Sequence, residues 1–169
     1  MRKMGPGWCG WLGLLALLLL GGPEVRAEAR SPIEPPFQAK VVRVFDGDTV
    51  EVLRDQVPLR IRLEGIDCPE RAQAWSRKAT ELTTRLAAGK TATIRVLDVD
   101  RYGRKVARLV VGGRDLSLEL LRAGLAWHYA WFNHEDALAR LESEARAARR
   151  GIWSDPDPEA PWDFRRRRR

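Results

Sequence analysis

Cysteine is almost missing from this chain: 169 residues hold two, Cys9 and Cys68. Cys9 precedes an apolar run instead of ending it, which places it poorly for lipid attachment at a cleavage site. Once that N-terminal segment is removed Cys68 stands alone, so no internal disulfide can form even in an oxidising compartment. Packing, with metal if one binds, must hold the fold. Histidine is equally scarce. His128 and His134 are six residues apart, with no third histidine and no cysteine nearby, which is poor zinc-ligand geometry, and solvated or capping roles are expected for them. No internal repeat is evident, and no apolar run reaches the roughly 20 residues that span a bilayer.

An excess of positive charge is also missing from most of the chain. The formal net charge is +7, but residues 1 to 27 carry three basic groups and one acidic group, and Arg165 to Arg169 add five more arginines. Residues 28 to 164 hold 22 basic and 22 acidic groups. The body is neutral, so net charge by itself is weak evidence for a polyanionic partner, and particular residues must carry that argument.

The N-terminus joins Arg2 and Lys3 to the apolar stretch Trp11 to Leu20 and then to Val25-Arg26-Ala27. This is the pattern of a secretory signal cleaved after Ala27, the alternative being an uncleaved anchor. Export is expected, to the periplasm or the medium. Residues 28 to 36 form a proline-rich leader, and one domain is expected over residues 37 to 154.

Within that domain, Val41 to Phe45 and Thr49 to Leu53 flank Asp46-Gly47, a dipeptide suited to the positive φ of a tight hairpin. After a turn at residues 54 to 58, Leu59, Ile61 and Leu63 alternate with Arg60, Arg62 and Glu64, giving one core face and one charged face. Trp75, Ala79, Leu82 and Leu86 define a helical stripe that ends near Gly89. Strands are expected at Thr91 to Leu97 and Lys105 to Val111, then a short helix capped by Asp115. A last helix carries Leu138, Leu141, Ala145, Ala148 and Ile152, with Asn133 or His134 near its cap and Gly151 near its end. The fold class is therefore α+β, mainly β: a five-stranded OB-type barrel with one inserted and two C-terminal helices.

Three motifs concentrate chemistry: Asp46-Gly47-Asp48-Thr49, Arg62 through Glu70, and Asp100-Arg101-Tyr102-Gly103-Arg104. The carboxylates of Asp48 and Asp67 would supply the hard oxygens that Ca²⁺ prefers, with Mg²⁺ or another divalent ion also admissible. Glu70, three residues past Asp67, is positioned to take a proton from water. Arg62 and Arg104 offer the planar fork that fits phosphodiester oxygens as negative charge accumulates. Taken singly, each motif is ordinary turn or helix-start chemistry. Together and in this order they resemble the staphylococcal nuclease (thermonuclease) family, over roughly Phe37 to Trp153.

That resemblance implies Ca²⁺ held by Asp48, Asp67 and the backbone carbonyl of Cys68. It further implies Glu70 as general base, Arg62 and Arg104 as catalytic phosphate ligands, and cleavage of DNA or RNA leaving 3′-phosphate ends. The family's best-known member has threonine at the place of Cys68, so a role for that side chain, including thiolate ligation of a softer metal, would alter the site. Tyr102, Tyr129 and Trp131 are candidate substrate-binding aromatics, and Arg60 is expected to be structural or peripheral. The alternative on the same fold is a non-catalytic nucleic-acid or protein-binding module, although the complete acidic and arginine set favours the enzyme. A monomer is expected, without a stable protein partner. Residues 155 to 169 read as a disordered tail whose five arginines would contact nucleic acid or an anionic surface.

Overall fold

The computed structural model describes Met1 and residues 31–168. The expected signal segment and its cleavage after Ala27 lie outside the described residues.

The elements run β1 (Phe37–Val44), β2 (Thr49–Arg54), β3 (Val57–Leu63), β4 (Ile66–Asp67), α1 (Ser76–Ala87), β5 (Thr91–Val99), β6 (Lys105–Val111), β7 (Arg114–Asp115), α2 (Leu116–Arg122), β8 (Trp127–His128), α3 (Asp136–Ala147), a 3-10 turn (Gly151–Ser154) and α4 (Pro161–Arg167). Sheet order is β3-β2-β1-β5-β6, and β3 also pairs in parallel with β6. The five long strands therefore close into a barrel without a free edge, the expected OB-type architecture.

Alternation decides which faces turn inward. In β3 the side chains of Ile61 and Leu63 are fully buried while Arg60 is exposed, and Val50 and Val52 on β2 are buried likewise. In β5 an irregularity between Val96 and Asp98 breaks that phase, so that Val96 and Leu97 are both buried. The barrel core merges with Ala79, Leu82 and Leu86 of α1, with Leu116, Leu120 and Leu121 of α2 and with Leu138 and Leu141 of α3. A smaller cluster of Trp127, Ala145, Ile152, Trp153 and Ala160 sits beside it, with Trp162 packed against it.

Several expectations change here. The tight turn with positive φ is at Asp55 (49°) and Gln56 (66°), between β2 and β3, and not at Asp46-Gly47. Gly47 is required for another reason: a Cβ there would lie 2.7 Å from Cβ of Ala79 and 2.8 Å from Sγ of Cys68. The β1–β2 loop is thus pressed against α1. Trp75 is not part of the helical stripe. It precedes α1 in the left-handed conformation with φ 68° and is partly exposed. Glu64 lies beyond the end of β3 and leaves the charged face for the interior, at 1% exposure. Its carboxylate pairs there with Arg108 Nε at 3.1 Å and accepts from Asn133 Nδ2 at 2.5 Å, while its carbonyl accepts from Ser117 Oγ at 2.9 Å. Burying a carboxylate is tolerable only with such a set of partners.

α3 has Glu135 at its N-cap, next to Asn133 and His134 as expected, but it stops at Ala147, so Ile152 belongs to the separate 3-10 turn. The largest departure lies at the C-terminus. Residues 161 to 167 form a helix where a disordered extension was expected, giving four α-helices among the described residues. Pro161 occupies its first turn, where a missing N–H costs no hydrogen bond.

Candidate active site

Asp48 stands at the end of the β1–β2 loop and Arg62 near the end of β3, and the pairing of Thr49 with Arg62 brings these two segments side by side. The N–H of Leu63 donates to the carbonyl of Asp48 at 2.8 Å. Asp67 is set by the short β4–β8 pairing, in which it faces Trp127. Gly65, with φ 75°, makes the reversal between β3 and β4, and a Cβ there would strike Leu138 at 2.5 Å. Motifs distant in sequence thus meet at one rim of the barrel.

Arg62 is the hub. Its Nη2 donates to Oδ1 of Asp67 at 2.7 Å, and its Nη1 lies 2.7 Å from Oδ2 of Asp48 as an ion pair without a directed hydrogen bond. Burial works against the charge on Arg62, but Asp48 and Asp67 on either side hold its proton more firmly than usual. Asp48 also accepts from the N–H of Cys68 at 2.6 Å and from Thr49 Oγ1 at 3.1 Å. The neighbouring carboxyl of Asp46, which accepts from the N–H of Asp48 at 3.2 Å, is pushed up to about 6 by burial and by the charge of Asp48. Carboxylates are in excess here. Sequence reasoning took Asp46 only as a turn residue, because its burial beside Asp48 exists only once the loop is pressed onto α1.

Glu70 lies in the loop before α1, where its N–H donates to Gln73 Oε1 at 2.8 Å. Arg104 reaches the same cleft from the start of β6, and its Nε donates to Asp100 Oδ2 at 2.7 Å. Oδ1 of Asp100 accepts from the N–H groups of Tyr102 and Arg104 at 2.9 and 3.0 Å, which shapes the β5–β6 turn. The cleft has a volume of about 1160 Å³, and Asp48, Arg62, Asp67, Glu70 and Arg104 all line it.

Of the aromatic candidates, Tyr102 lines the cleft and is exposed, and Tyr129 lines it while stacking on Trp162 at 5.5 Å. Trp131 lies outside the lining and packs edge-on against Trp162 at 5.2 Å, whereas its neighbour Phe132 faces the cleft. Arg60 stacks over Phe45 at 4.4 Å on the cleft wall, a peripheral place. His128 is not solvated: it is buried, and its Nε2 is 2.9 Å from the carbonyl oxygen of Asn133. The Cys68 side chain packs inward beside Gly47 and Ala79, and burial pushes its thiol well above its ordinary value. A neutral thiol is a poor metal ligand, so any part played by residue 68 falls to its backbone.

Sequence reasoning missed one further residue in the cleft. Arg165 of α4 donates through Nη1 to Glu70 Oε1 at 2.6 Å and through Nη2 to Asp67 Oδ2 at 2.7 Å. The only signal was Pro161-Trp162-Asp163-Phe164, whose helix-start proline and two aromatics argue against a solvated tail.

This arrangement agrees with comparisons to known proteins. The family model described as "Staphylococcal nuclease homologue" matches residues 60–155. The chain belongs to the staphylococcal nuclease family. A relative from Escherichia coli O157:H7 named "Uncharacterized endonuclease" is 43% identical over 133 residues, covering 78% of this chain and 87% of the relative. A "Micrococcal nuclease" from Shigella flexneri is 33% identical over 146 residues, covering 80% and 84%. A "Probable staphylococcal-like nuclease CAN1" from Oryza sativa subsp. japonica is 38% identical over 110 residues, covering 65% of this chain and 33% of its own length. The matched residues 60–155 include Arg62, Asp67, Glu70 and Arg104 of the cleft.

Proposed function

We propose that this protein is a nuclease that hydrolyses phosphodiester bonds in DNA, RNA or both with the help of a divalent cation, Ca²⁺ in the first instance. The observation that carries this reading is the bridging of the buried Asp48 and Asp67 by the part-buried Arg62 in the cleft that Glu70 and Arg104 share. A module that only bound nucleic acid would gain nothing from burying two carboxylates, which repel phosphate.

The donor set fits a hard cation. Asp48 and Asp67 offer carboxylate oxygens, the carbonyl of Cys68 is adjacent, and nitrogen or thiolate ligands are lacking at the site. Among the described residues no group of three or more His, Cys, Asp and Glu side chains is already drawn together around one point, so the carbonyl and solvent would complete the sphere. When bound, the cation would offset negative charge on the scissile phosphate and polarise its bonds.

The remaining work falls to side chains. Glu70 accepts the proton of the attacking water. Arg62 and Arg104 receive charge on the nonbridging oxygens as the pentacovalent phosphorus develops. Arg104 is anchored to Asp100 through Nε, with the rest of its guanidinium at the cleft. Family resemblance supports scission of the bond to the 5′-oxygen, leaving a 3′-phosphate. Tyr102, Tyr129 and Phe132 supply aromatic surface for a base or sugar. Export through the N-terminal signal is part of the same proposal.

The test is digestion of single- and double-stranded DNA and RNA with Ca²⁺, Mg²⁺ or chelator, with end-group analysis, alongside Glu70→Gln and Arg62→Ala. Cation-dependent cleavage that falls at least 100-fold in both variants is expected, by analogy with the loss of a transition-state donor. Undiminished cleavage by Glu70→Gln would sink the assigned base. Nucleic-acid binding without cleavage under any cation would leave the binding-module reading.

A further inference from the structure

Residues 161–167 form a docked helix and not a solvated tail. α4 is docked by its aromatic side: Trp162 meets Trp127 at 5.6 Å, Tyr129 at 5.5 Å and Trp131 at 5.2 Å, and Ala160 is buried with Ile152 and Trp153. The segment entering it is tied to the loop that bears Glu70, because Gln73 receives the N–H of Glu70 through Oε1 and donates through Nε2 to the carbonyl of Glu159 at 3.0 Å. Arg167 folds back on Glu159 with two hydrogen bonds, at 3.0 and 2.9 Å. These contacts deliver one side chain, Arg165, onto Asp67 and Glu70 together, and bring Phe164 and Arg168 to the wall of the same cleft.

We infer that α4 is an autoinhibitory strap, in which Arg165 occupies the carboxylates of Asp67 and Glu70 and competes with the divalent cation for them. The inference rests on the nuclease reading of the cleft. Its physical basis is exclusion of like charge. Arg62 already engages Oδ1 of Asp67, and Arg165, 2.7 Å from Oδ2, takes the oxygen left for a divalent cation, which a second guanidinium there would also repel. Arg165 also covers the carboxylate assigned to accept the proton, at 2.6 Å from Oε1 of Glu70.

Linkage then runs in both directions. Apparent cation affinity is reduced by the fraction of molecules with the strap undocked, and the cation in turn favours undocking by the same factor. Nucleic acid pulls the same way. A polyanion entering the cleft offers Arg165, Arg166 and Arg167 phosphates in place of carboxylates, so substrate itself would lift the strap.

The experiment measures Ca²⁺ affinity calorimetrically in the whole protein, in Arg165→Ala and in Arg165→Lys, and follows α4 by Trp162 fluorescence and by tryptic cleavage within the arginine run. Arg165→Ala should bind Ca²⁺ about ten-fold more tightly or better, with Arg165→Lys between it and wild type. Ca²⁺ should change the emission of wild type, an effect lost in Trp162→Phe, and should speed cleavage of the run. Equal or weaker Ca²⁺ binding by Arg165→Ala overturns the strap while leaving the cation-dependent nuclease intact. Lost nuclease activity at saturating Ca²⁺ with unchanged affinity overturns it in favour of Arg165 as a third phosphate ligand. If none of the three proteins binds Ca²⁺, Mg²⁺ or Mn²⁺, the metal reading itself fails, and competition for the carboxylates fails with it.

Discussion

The backbone N–H of Cys68 donates to Oδ2 of Asp48 at 2.6 Å, joining two motifs 20 residues apart through main chain and not through the thiol. This hydrogen bond is charge-assisted and buried, so it orients Asp48 whatever side chain residue 68 bears. The thiol itself is part of the packing between the β1–β2 loop and α1.

Cys68→Ala should therefore retain nuclease activity and Ca²⁺ dependence and lose about 1 kcal/mol of stability from the small cavity it leaves. In the native protein the buried, neutral thiol should react with a disulfide reagent only as fast as the protein opens. Urea denaturation and thiol-labelling kinetics check both points, and rapid labelling of the folded protein would contradict the buried placement.

Gly47→Ala should destabilise by about 1 to 3 kcal/mol, the usual cost of forcing a methyl into a closed space. Since Cβ would lie 2.7 Å from Ala79 Cβ, Ala79→Gly in the same protein should recover part of the loss. A double-mutant cycle of thermal unfolding measures this, and strictly additive losses would refute the contact.

Arg108→Ala should cost about 3 to 5 kcal/mol, because it strands the buried carboxylate of Glu64 and removes the ion pairs to Asp115 and Glu135. Arg108 does not line the cleft, so in the cold, where the variant remains folded, digestion should proceed at close to the wild-type rate. Denaturant unfolding alongside a low-temperature assay separates the two effects.

The β5–β6 turn should loosen in acid. Burial raises the carboxyl of Asp100, but Arg104 and the N–H groups of Arg104 and Tyr102 outweigh it, leaving the group below its ordinary value of 3.8. A group depressed on folding adds stability above its unfolded value, and that stability is lost as pH falls through the folded one. Amide-exchange protection of Tyr102 and Arg104 should accordingly be level near neutrality and fade below 3.8. Asp100→Asn should weaken it at neutral pH and, by freeing Arg104 from its anchor, reduce nuclease turnover several-fold. Protection in that variant equal to wild type would remove Asp100 from the positioning of Arg104.

What could be read in advance follows periodicity. Strands such as β2 and β3 carry alternating apolar residues because one face meets the core, and α1 carries Ala79, Leu82 and Leu86 for the same reason. Asp48, Arg62, Asp67, Glu70 and Arg104 were recognisable because they occur in short motifs of characteristic spacing. Asp46, Glu64 and His128 were misjudged, since burial and partners come from segments far away in sequence. Asn133, partner of both Glu64 and His128, is 69 residues from the first.

The amino-acid sequence alone determined the barrel, the order of its five long strands and first three helices, and the motifs that line the cleft, because hydrophobic period and local motif are properties of neighbouring residues. Only the tertiary structure decided how those groups are engaged: that Arg62 is clasped by Asp48 and Asp67, that Cys68 turns its thiol inward, and that Arg165 reaches Asp67 from 98 residues away. The reason lies in Trp162. An aromatic side chain finds its place only against rings supplied by the rest of the fold, and where it docks, the arginine three residues later must follow.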